Sequence, residues 1–303
     1  MSGAPDPRVI DSVRARLRNV AAHRGEDFQR VLQRYGIERF LYRLSRSPYA
    51  DRFVLKGAAL FLTWGDEAHR PTQDVDLLSF GPAEVPELVA IMRGIVATAV
   101  EDDGLSFPDE LVRGAPIKVG QRYEGVRIEL LALLERTRIH IQVDVGFGDA
   151  LVPAPIPGAF PTLLDQPAPQ LRLYARETVV AEKFHAVVSL GILNSRMKDF
   201  YDLWFLSHAF AFDGDRLCPA LRATFDRRGT PLPAELPVGL TPAYAAMAGR
   251  LWLAFLKKGG LEAPALETII QPTIATFLMP ASIAAIEPGG TPGTWPAGGP
   301  WQP

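Results

Sequence analysis

The chain has 303 residues, enough for one large domain or two ordinary ones, and its 48% of hydrophobic residues can build a substantial core, which excludes collagen, coiled coils and wholesale disorder. With 32 Lys and Arg against 34 Asp and Glu, the net charge is -2, so any nucleic-acid contact must be local. The single Cys218 excludes an internal disulfide framework and a cysteine metal cluster, and it favours a reducing compartment.

The N-terminal segment, residues 1–52, predicts a basic helical lead-in. Apolar residues such as Val13, Leu17 and Val20 recur at spacings of three and four, which is typical of amphipathic helices. From residue 8 onward the segment contains 11 Arg and no Lys against 5 acidic residues. It lacks the apolar core of a signal peptide, and no uninterrupted run of about 18 apolar residues follows it. We therefore predict a cytoplasmic protein without membrane contact.

Residues 53–160 predict a core of short strands. The pattern changes from helical spacing to short apolar or alternating runs separated by turn residues. The predicted elements are, in order, a strand at Phe53–Lys56, a helix at Ala58–Trp64 that opens directly after Gly57, a strand at Asp74–Leu78, and an antiparallel hairpin of Val126–Leu134 and Arg138–Val145.

The C-terminal half predicts a separate helical domain and a tail. Six prolines between Leu151 and Gln170 cannot continue a helix or a central strand, so we place the domain boundary at residue 160. Residues 161–286 carry helical periodicity. Residues 287–303 are rich in Pro and Gly with almost no charge, which predicts a disordered tail.

Three strand carboxylates are candidates for metal chemistry. Asp74 and Asp76 are two residues apart on one predicted strand, so both project from the same face. Like charges at that separation are stabilised by a cation between them, and Mg²⁺ takes oxygen ligands of this kind. Asp144 lies opposite the apolar face of another predicted strand. A solvated surface pair and an edge-strand acid facing water remain the simpler alternatives for these residues.

The order of elements around Gly57 is a restrictive pattern. A strand is followed by Gly57, a helix and a second strand that bears Asp-x-Asp. Glycine lets a phosphate approach the backbone, and the N–H groups at a helix start attract it, although an ordinary turn has the same composition. The segments ERFLYRLSRSPYADRFVLKGAALFLTWGDEAHRPTQDVDLL and RETVVAEKFHAVVSLGILNSRMKDFYDLWFL complete the pattern with the motifs Glu-Lys and Arg-x-Lys-Asp-x-x-Asp.

Together these motifs resemble the AbiEii/AbiGii nucleotidyltransferase toxins, a family that includes the MenT-like toxins and belongs to the DNA polymerase beta-like nucleotidyltransferase superfamily. The resemblance covers most of residues 8–210. It implies an α+β fold with a mixed-sheet nucleotidyltransferase core, flanking helices and a C-terminal helical domain. It also implies an enzyme that uses Mg²⁺ and a nucleoside triphosphate (NTP), and that acts as the toxin of a toxin–antitoxin or phage-defence pair.

The resemblance also assigns site residues. It implies metal binding by Asp74, Asp76 and Asp144. Nucleotide contacts are implied for residues around Gly57 and for residues of the helical-domain motif. These are Lys56, Gly57, Ala58, Lys183, Arg196, Lys198, Asp199 and Asp202. Lys183 is additionally assigned a catalytic role, as are the three metal-binding carboxylates. Where the family usually has Gly-Gly or Gly-Ser, this chain has Gly57-Ala58, so a serine hydroxyl contact to phosphate is lost.

The helical motif has simpler interpretations as well. Lys183 suits a solvated helix face, and Lys198 with Asp202, four residues apart, suits an intrahelical ion pair. Alternatively, Lys183, Arg196 and Lys198 form a cationic cluster for a triphosphate, which the nearby acids orient. His140, His185 and His208 lack metal-ligand spacing and are predicted to be structural or surface groups.

We therefore predict transfer of a nucleoside monophosphate from an NTP to an acceptor hydroxyl. The resemblance makes a tRNA 3′ end the expected acceptor, with the basic segment as a phosphate-contacting surface, and it makes an antitoxin encoded nearby the expected partner. Two alternatives stay open. One is the same chemistry on a protein or small-molecule acceptor, and the other is a non-catalytic nucleic-acid-binding module.

Overall fold

The structure is a computed structural model that describes residues 5–65, 70, 72, 74–81, 84–119 and 122–303, with backbone only for 118–119 and 122–124. The chain forms two compact units. The first comprises Met1–Gly148 and Ile156–Leu173, and the second comprises Asp149–Pro155 and Tyr174–Pro303. The proline-rich stretch is thus not a simple boundary, because residues 156–173 return to the first unit.

The first unit is an α+β unit built on a seven-stranded mixed sheet. Its elements are α1 (Pro7–Arg24), α2 (Phe28–Arg46), β1 (Phe53–Lys56), β2 (Asp74–Ser79), α3 (Val85–Val96), β3 (Arg113–Val119), β4 (Arg122–Leu134), β5 (Thr137–Phe147), β6 (Ile156–Ala159) and β7 (Gln170–Leu173). The strand order is β3-β4-β5-β2-β1-β7-β6. Pairs β1–β7 and β2–β5 are parallel, and the other neighbours are antiparallel.

The N-terminal helices belong to this unit rather than forming a separate lead-in. Asp6 and Asp27 cap α1 and α2 by accepting hydrogen bonds from the first backbone N–H groups, and Gly25 ends α1 in a left-handed conformation. Helix α2 packs on β5 so closely that a side chain at Gly36 would collide with Ile139. One face of the sheet is thereby buried.

The strands and helices agree well with the sequence pattern. Strand β1 spans the predicted residues, and β4 and β5 form the predicted hairpin around a turn in which Glu135 has a positive φ of 56°. The helix predicted after Gly57 is present as a short 3-10 helix, Ala58–Thr63.

The second unit is helical. Its elements are α4 (Arg176–Leu190), α5 (Met197–Ala209), β8 (Phe212–Asp213), α6 (Gly214–Arg227), α7 (Pro242–Gly259), α8 (Leu266–Ile269), a π-helical stretch (Ile270–Ala275), α9 (Thr276–Ile286) and β9 (Thr294–Trp295). The continuous stretch Leu266–Ile286 is long and apolar enough to cross a membrane by length and composition alone. Core helices share these properties, and Phe277, Leu278 and Ala281 of this stretch are buried.

The predicted disordered tail is instead a packed segment. Strand β9 pairs with β8, and Trp295 is 2% exposed, with its Nε1 donating to the Ser207 carbonyl at 2.7 Å. Trp301 stacks on Phe277 and donates to its carbonyl. Two tryptophans supply much apolar surface in a short segment, so composition rich in Pro and Gly does not prevent packing here.

Replacing Trp295 with alanine tests whether the tail is part of the second unit. Because the substitution leaves a large cavity and removes the hydrogen bond from the indole to the Ser207 carbonyl, we expect it to cost about 3–5 kcal/mol of stability. A urea titration followed by circular dichroism measures this cost. Leu253→Ala, at a residue that is 64% exposed, is the control that should leave the midpoint unchanged. Equal midpoints for both variants would contradict a packed tail.

Candidate active site

The sheet brings two of the predicted carboxylates side by side. Strand β2 lies between β1 and β5, and Asp76 is in register with Asp144 of β5 on one side and with Lys56 of β1 on the other. Residues paired across neighbouring strands project from the same face. Since Val75 and Leu77 are buried on the opposite face, the carboxylates lie on the face that α2 does not cover. Asp74 lies on that same face and is exposed.

Arg127 of β4 completes this row. It is in register with Asp144, and its guanidinium donates to both carboxylate oxygens, with Nε–Oδ1 at 2.9 Å and Nη2–Oδ2 at 2.8 Å. This hydrogen bonding raises the pKa of Arg127, and the charge of Asp74 adds to the effect. We call Lys56, Asp76, Asp144 and Arg127 the charge row. It runs cation, acid, acid, cation across four adjacent strands.

Gly57 leaves space for the carboxylate of Asp76. Its φ of 70° and ψ of -154° place it in a backbone region that only glycine occupies readily. A Cβ at this position would overlap the Asp76 Oδ2 atom. The glycine of the strand-Gly-helix pattern therefore has a role beyond the turn. Because it has no side chain, it leaves the space that the Asp76 carboxylate occupies.

The donor set suits a hard divalent ion. All three candidates are carboxylates, Asp76 and Asp144 are neighbours in register, and the Gly57 position keeps room for one of them. Within the part of the chain that the structure describes, however, no group of three or more His, Cys, Asp or Glu side chains is gathered to hold a metal ion. One of the three carboxylates already has a cationic partner, because the Arg127 guanidinium donates to both oxygens of Asp144.

The helical motif forms a buried ion cluster in the second unit. Lys183 of α4 is 12% exposed, and its Nζ lies 3.2 Å from Asp199 Oδ1 and 2.5 Å from Asp202 Oδ2, both on α5. The two aspartates are 2% and 0% exposed. Lys183 is thus no solvated surface residue. Its ammonium neutralises two carboxylates that could not otherwise be buried.

The remaining cations of the motif are closer to solvent. Arg196, at the N-cap of α5, is half exposed, and its Nε lies 2.9 Å from Asp199 Oδ2 without the alignment of a hydrogen bond. Lys198 is exposed. The structure therefore brings Lys183, Arg196, Asp199 and Asp202 together within the second unit, while Asp76 and Asp144 are neighbours in register within the first.

A second polar cluster in the helical unit was not predicted. The Tyr174 hydroxyl lies 3.3 Å from Asp149 Oδ2 and 3.4 Å from Glu182 Oε1, and Arg228 is within 4 Å of both acids. Arg228 also contacts His185, whose pKa falls to about 4 because of burial and the nearby positive charge. His185 is thus a neutral structural group, as its lack of ligand spacing indicates.

Many arginines of the basic segment have acidic partners within the protein. Arg14 Nη2 lies 2.7 Å from Glu135 Oε2, and Arg16 Nη2 lies 3.2 Å from Asp165 Oδ2. Arg39 and Arg43 are buried and share Asp103. The excess of arginine in the sequence thus overstates the positive charge that this segment offers to a polyanion.

The chain is similar to one protein family and to solved structures that include two from Helicobacter pylori. The family model described as "Nucleotidyl transferase AbiEii toxin, Type IV TA system" matches residues 39–278. A Helicobacter pylori protein described as a candidate nucleotidyltransferase is 15% identical, with a TM-score of 0.45 over 82% of this chain and 94% of its own. The JHP933 structure, also from Helicobacter pylori, has 15% identity and a TM-score of 0.44 over 82% and 88%. No curated protein matches the sequence.

Gly57→Ala tests whether glycine is needed to seat Asp76. We expect the free energy of unfolding to fall by about 2–4 kcal/mol, because the substitution strains the backbone and also displaces the Asp76 carboxylate. Gly25→Ala is the matched control, since Gly25 also has a positive φ but nothing within 4 Å of its Cβ position. That control should cost only about 1 kcal/mol. Urea titrations of both variants measure the difference, and equal losses would mean that Asp76 simply moves aside.

Lys183→Met tests the buried ion cluster. Removing the ammonium leaves Asp199 and Asp202 buried without their central counter-charge, so we expect a destabilisation of about 3–5 kcal/mol. Thermal and urea unfolding measure it, with Lys258→Met at an exposed lysine of α7 as the control. Adding Asp202→Asn to Lys183→Met should recover part of the loss. A variant as stable as the wild type would show that the cluster needs no ammonium.

Proposed function

The chain belongs to the AbiEii family of nucleotidyltransferase toxins, and on that premise we propose that it uses Mg²⁺ to transfer a nucleoside monophosphate from an NTP to a hydroxyl at an RNA 3′ end, with tRNA as the acceptor. The observation that carries this proposal is the register of β2, which sets Asp76 beside Asp144 on the open face of the sheet. An NTP-dependent transferase needs such a focus of carboxylates where a polyphosphate and its metal meet.

We assign the metal-holding role to Asp74, Asp76 and Asp144. When bound, Mg²⁺ would neutralise the triphosphate and polarise its oxygens. In the transfer, the acceptor oxygen forms a bond to the α-phosphorus while the bond between the α-phosphorus and the bridging oxygen breaks. Pyrophosphate leaves with that electron pair. A carboxylate oxygen of Asp144 takes the acceptor hydroxyl proton.

The phosphate contacts are proposed for backbone and cationic groups. Gly57 allows close approach to the backbone, and Lys56 lies in the charge row beside Asp76. The contacts of Ala58, Lys183, Arg196, Lys198, Asp199 and Asp202 with the nucleotide remain predictions. Lys183 and the two aspartates have, in addition, the structural role described above.

The biological setting is a toxin–antitoxin system, and we propose a cytoplasmic protein with a cognate antitoxin encoded nearby. We also propose phage defence as the process served. An RNA acceptor would meet the arginines of the basic segment that keep exposed guanidinium groups, among them Arg30. A protein or small-molecule acceptor is the outcome that the same assay would reveal instead.

The test is transfer of label from each α-³²P-NTP to total RNA, purified tRNA and total protein. We expect Mg²⁺-dependent labelling of RNA. Asp76→Asn should reduce transfer by roughly 100-fold or more while the melting temperature stays within a few degrees of the wild type, because the carboxylate serves the reaction rather than the core. Glu110→Gln, at an exposed acid outside the charge row, is the control. Full activity of Asp76→Asn would overturn the metal assignment, and labelling of protein alone would overturn the acceptor.

A further inference from the structure

The charge row is already balanced without any bound ion. Asp76 and Asp144 are adjacent, and the flanking positions are occupied by Lys56 and Arg127. Two neighbouring carboxylates repel each other by their like charge unless cations lie close. The protein therefore carries its own counter-charges at the place where a divalent ion is proposed to bind.

Within the charge row, Arg127 and Asp144 form a close ion pair. It is bidentate, with two N–O distances of 2.9 and 2.8 Å, so both oxygens of the carboxylate are engaged. A carboxylate held in this way offers a metal ion a poorer ligand than a free one. Asp144 therefore cannot act fully as a ligand while the pair is closed.

Arg127 is nevertheless placed to move. Its side chain is 44% exposed, whereas that of Asp144 is 20% exposed. A half-exposed arginine has solvent and several rotamers available when its partner is taken, and a screened ion pair of this kind is worth little enough to be exchanged. The geometry thus permits Arg127 to leave without disturbing the buried face of the sheet.

We propose that Arg127 is a positioning residue that acts through Asp144, holding this carboxylate in the metal-free protein and competing with the divalent ion for it. The inference rests on the proposed function, since it concerns the same carboxylates. Arg127 is not among the site residues that the sequence predicts. The consequence is that the guanidinium lowers metal affinity while it keeps the carboxylate pair stable in the absence of metal.

The experiment measures binding of Mn²⁺ alone by the loss of its free electron paramagnetic resonance signal. We expect Arg127→Ala to tighten Mn²⁺ binding by roughly five- to tenfold relative to the wild type, because no bidentate pair has to open. Arg127→Lys keeps the positive charge but cannot form the bidentate contact. Its Mn²⁺ affinity should therefore lie between those of the wild type and Arg127→Ala. Without metal, Arg127→Ala should melt at a lower temperature than the wild type, and Mn²⁺ should raise its melting temperature by more.

Arg138→Ala is the matched control. Arg138 is exposed on the same face of β5 as Asp144 but six residues away, so its charge is screened from the row. Its Mn²⁺ affinity should equal that of the wild type. If the wild type binds Mn²⁺ and Asp76→Asn does not, the metal assignment stands. Unchanged or weaker Mn²⁺ binding by Arg127→Ala then overturns only the role proposed for Arg127. Absence of Mn²⁺ binding by the wild type and by Arg127→Ala overturns the inference together with the metal assignment.

Discussion

The register of β2 between β1 and β5 is the constraint on which the candidate site depends. Side chains alternate with a period of two, so a slip of one residue would turn Asp74 and Asp76 toward the core and Val75 and Leu77 toward solvent. Burial of those two apolar residues is what prevents the slip. The hydrophobic core and the alignment of Asp76 with Asp144 are thus consequences of one choice of register.

Charge compensation is the common theme of the two units. In the first, Arg127 engages Asp144 on an open face of the sheet, and in the second, Lys183 engages Asp199 and Asp202 in the interior. The two sets of ion pairs differ in burial, and therefore in the cost of removing the cation. The exposed pair can exchange its cation at small cost, whereas the buried cluster cannot lose its ammonium without leaving uncompensated charge. One arrangement suits a ligand-dependent site and the other suits a scaffold.

Local patterns in the sequence predicted the parts of the site that lie on single elements. The apolar run Phe53–Lys56, the strand-to-helix turn at Gly57 and the alternation around Asp144 each depend on near neighbours, and each matches the structure. Arg127 was missed although a signal existed. The two-residue turn places Leu134 opposite Thr137. Seven residues farther from the turn along each strand, Arg127 therefore lies opposite Asp144.

The sequence by itself determined the α+β class, the strand-Gly-helix pattern and the family, because alternation, turn residues and motif order are encoded within short windows. Only the tertiary structure decided how the charges are paired. Much of the basic segment is neutralised by acids distant in sequence, such as Arg39 by Asp103, and Trp295 anchors a tail whose composition predicts disorder. Pairing and burial depend on which distant residues the fold brings within a few ångströms, and no local pattern records that.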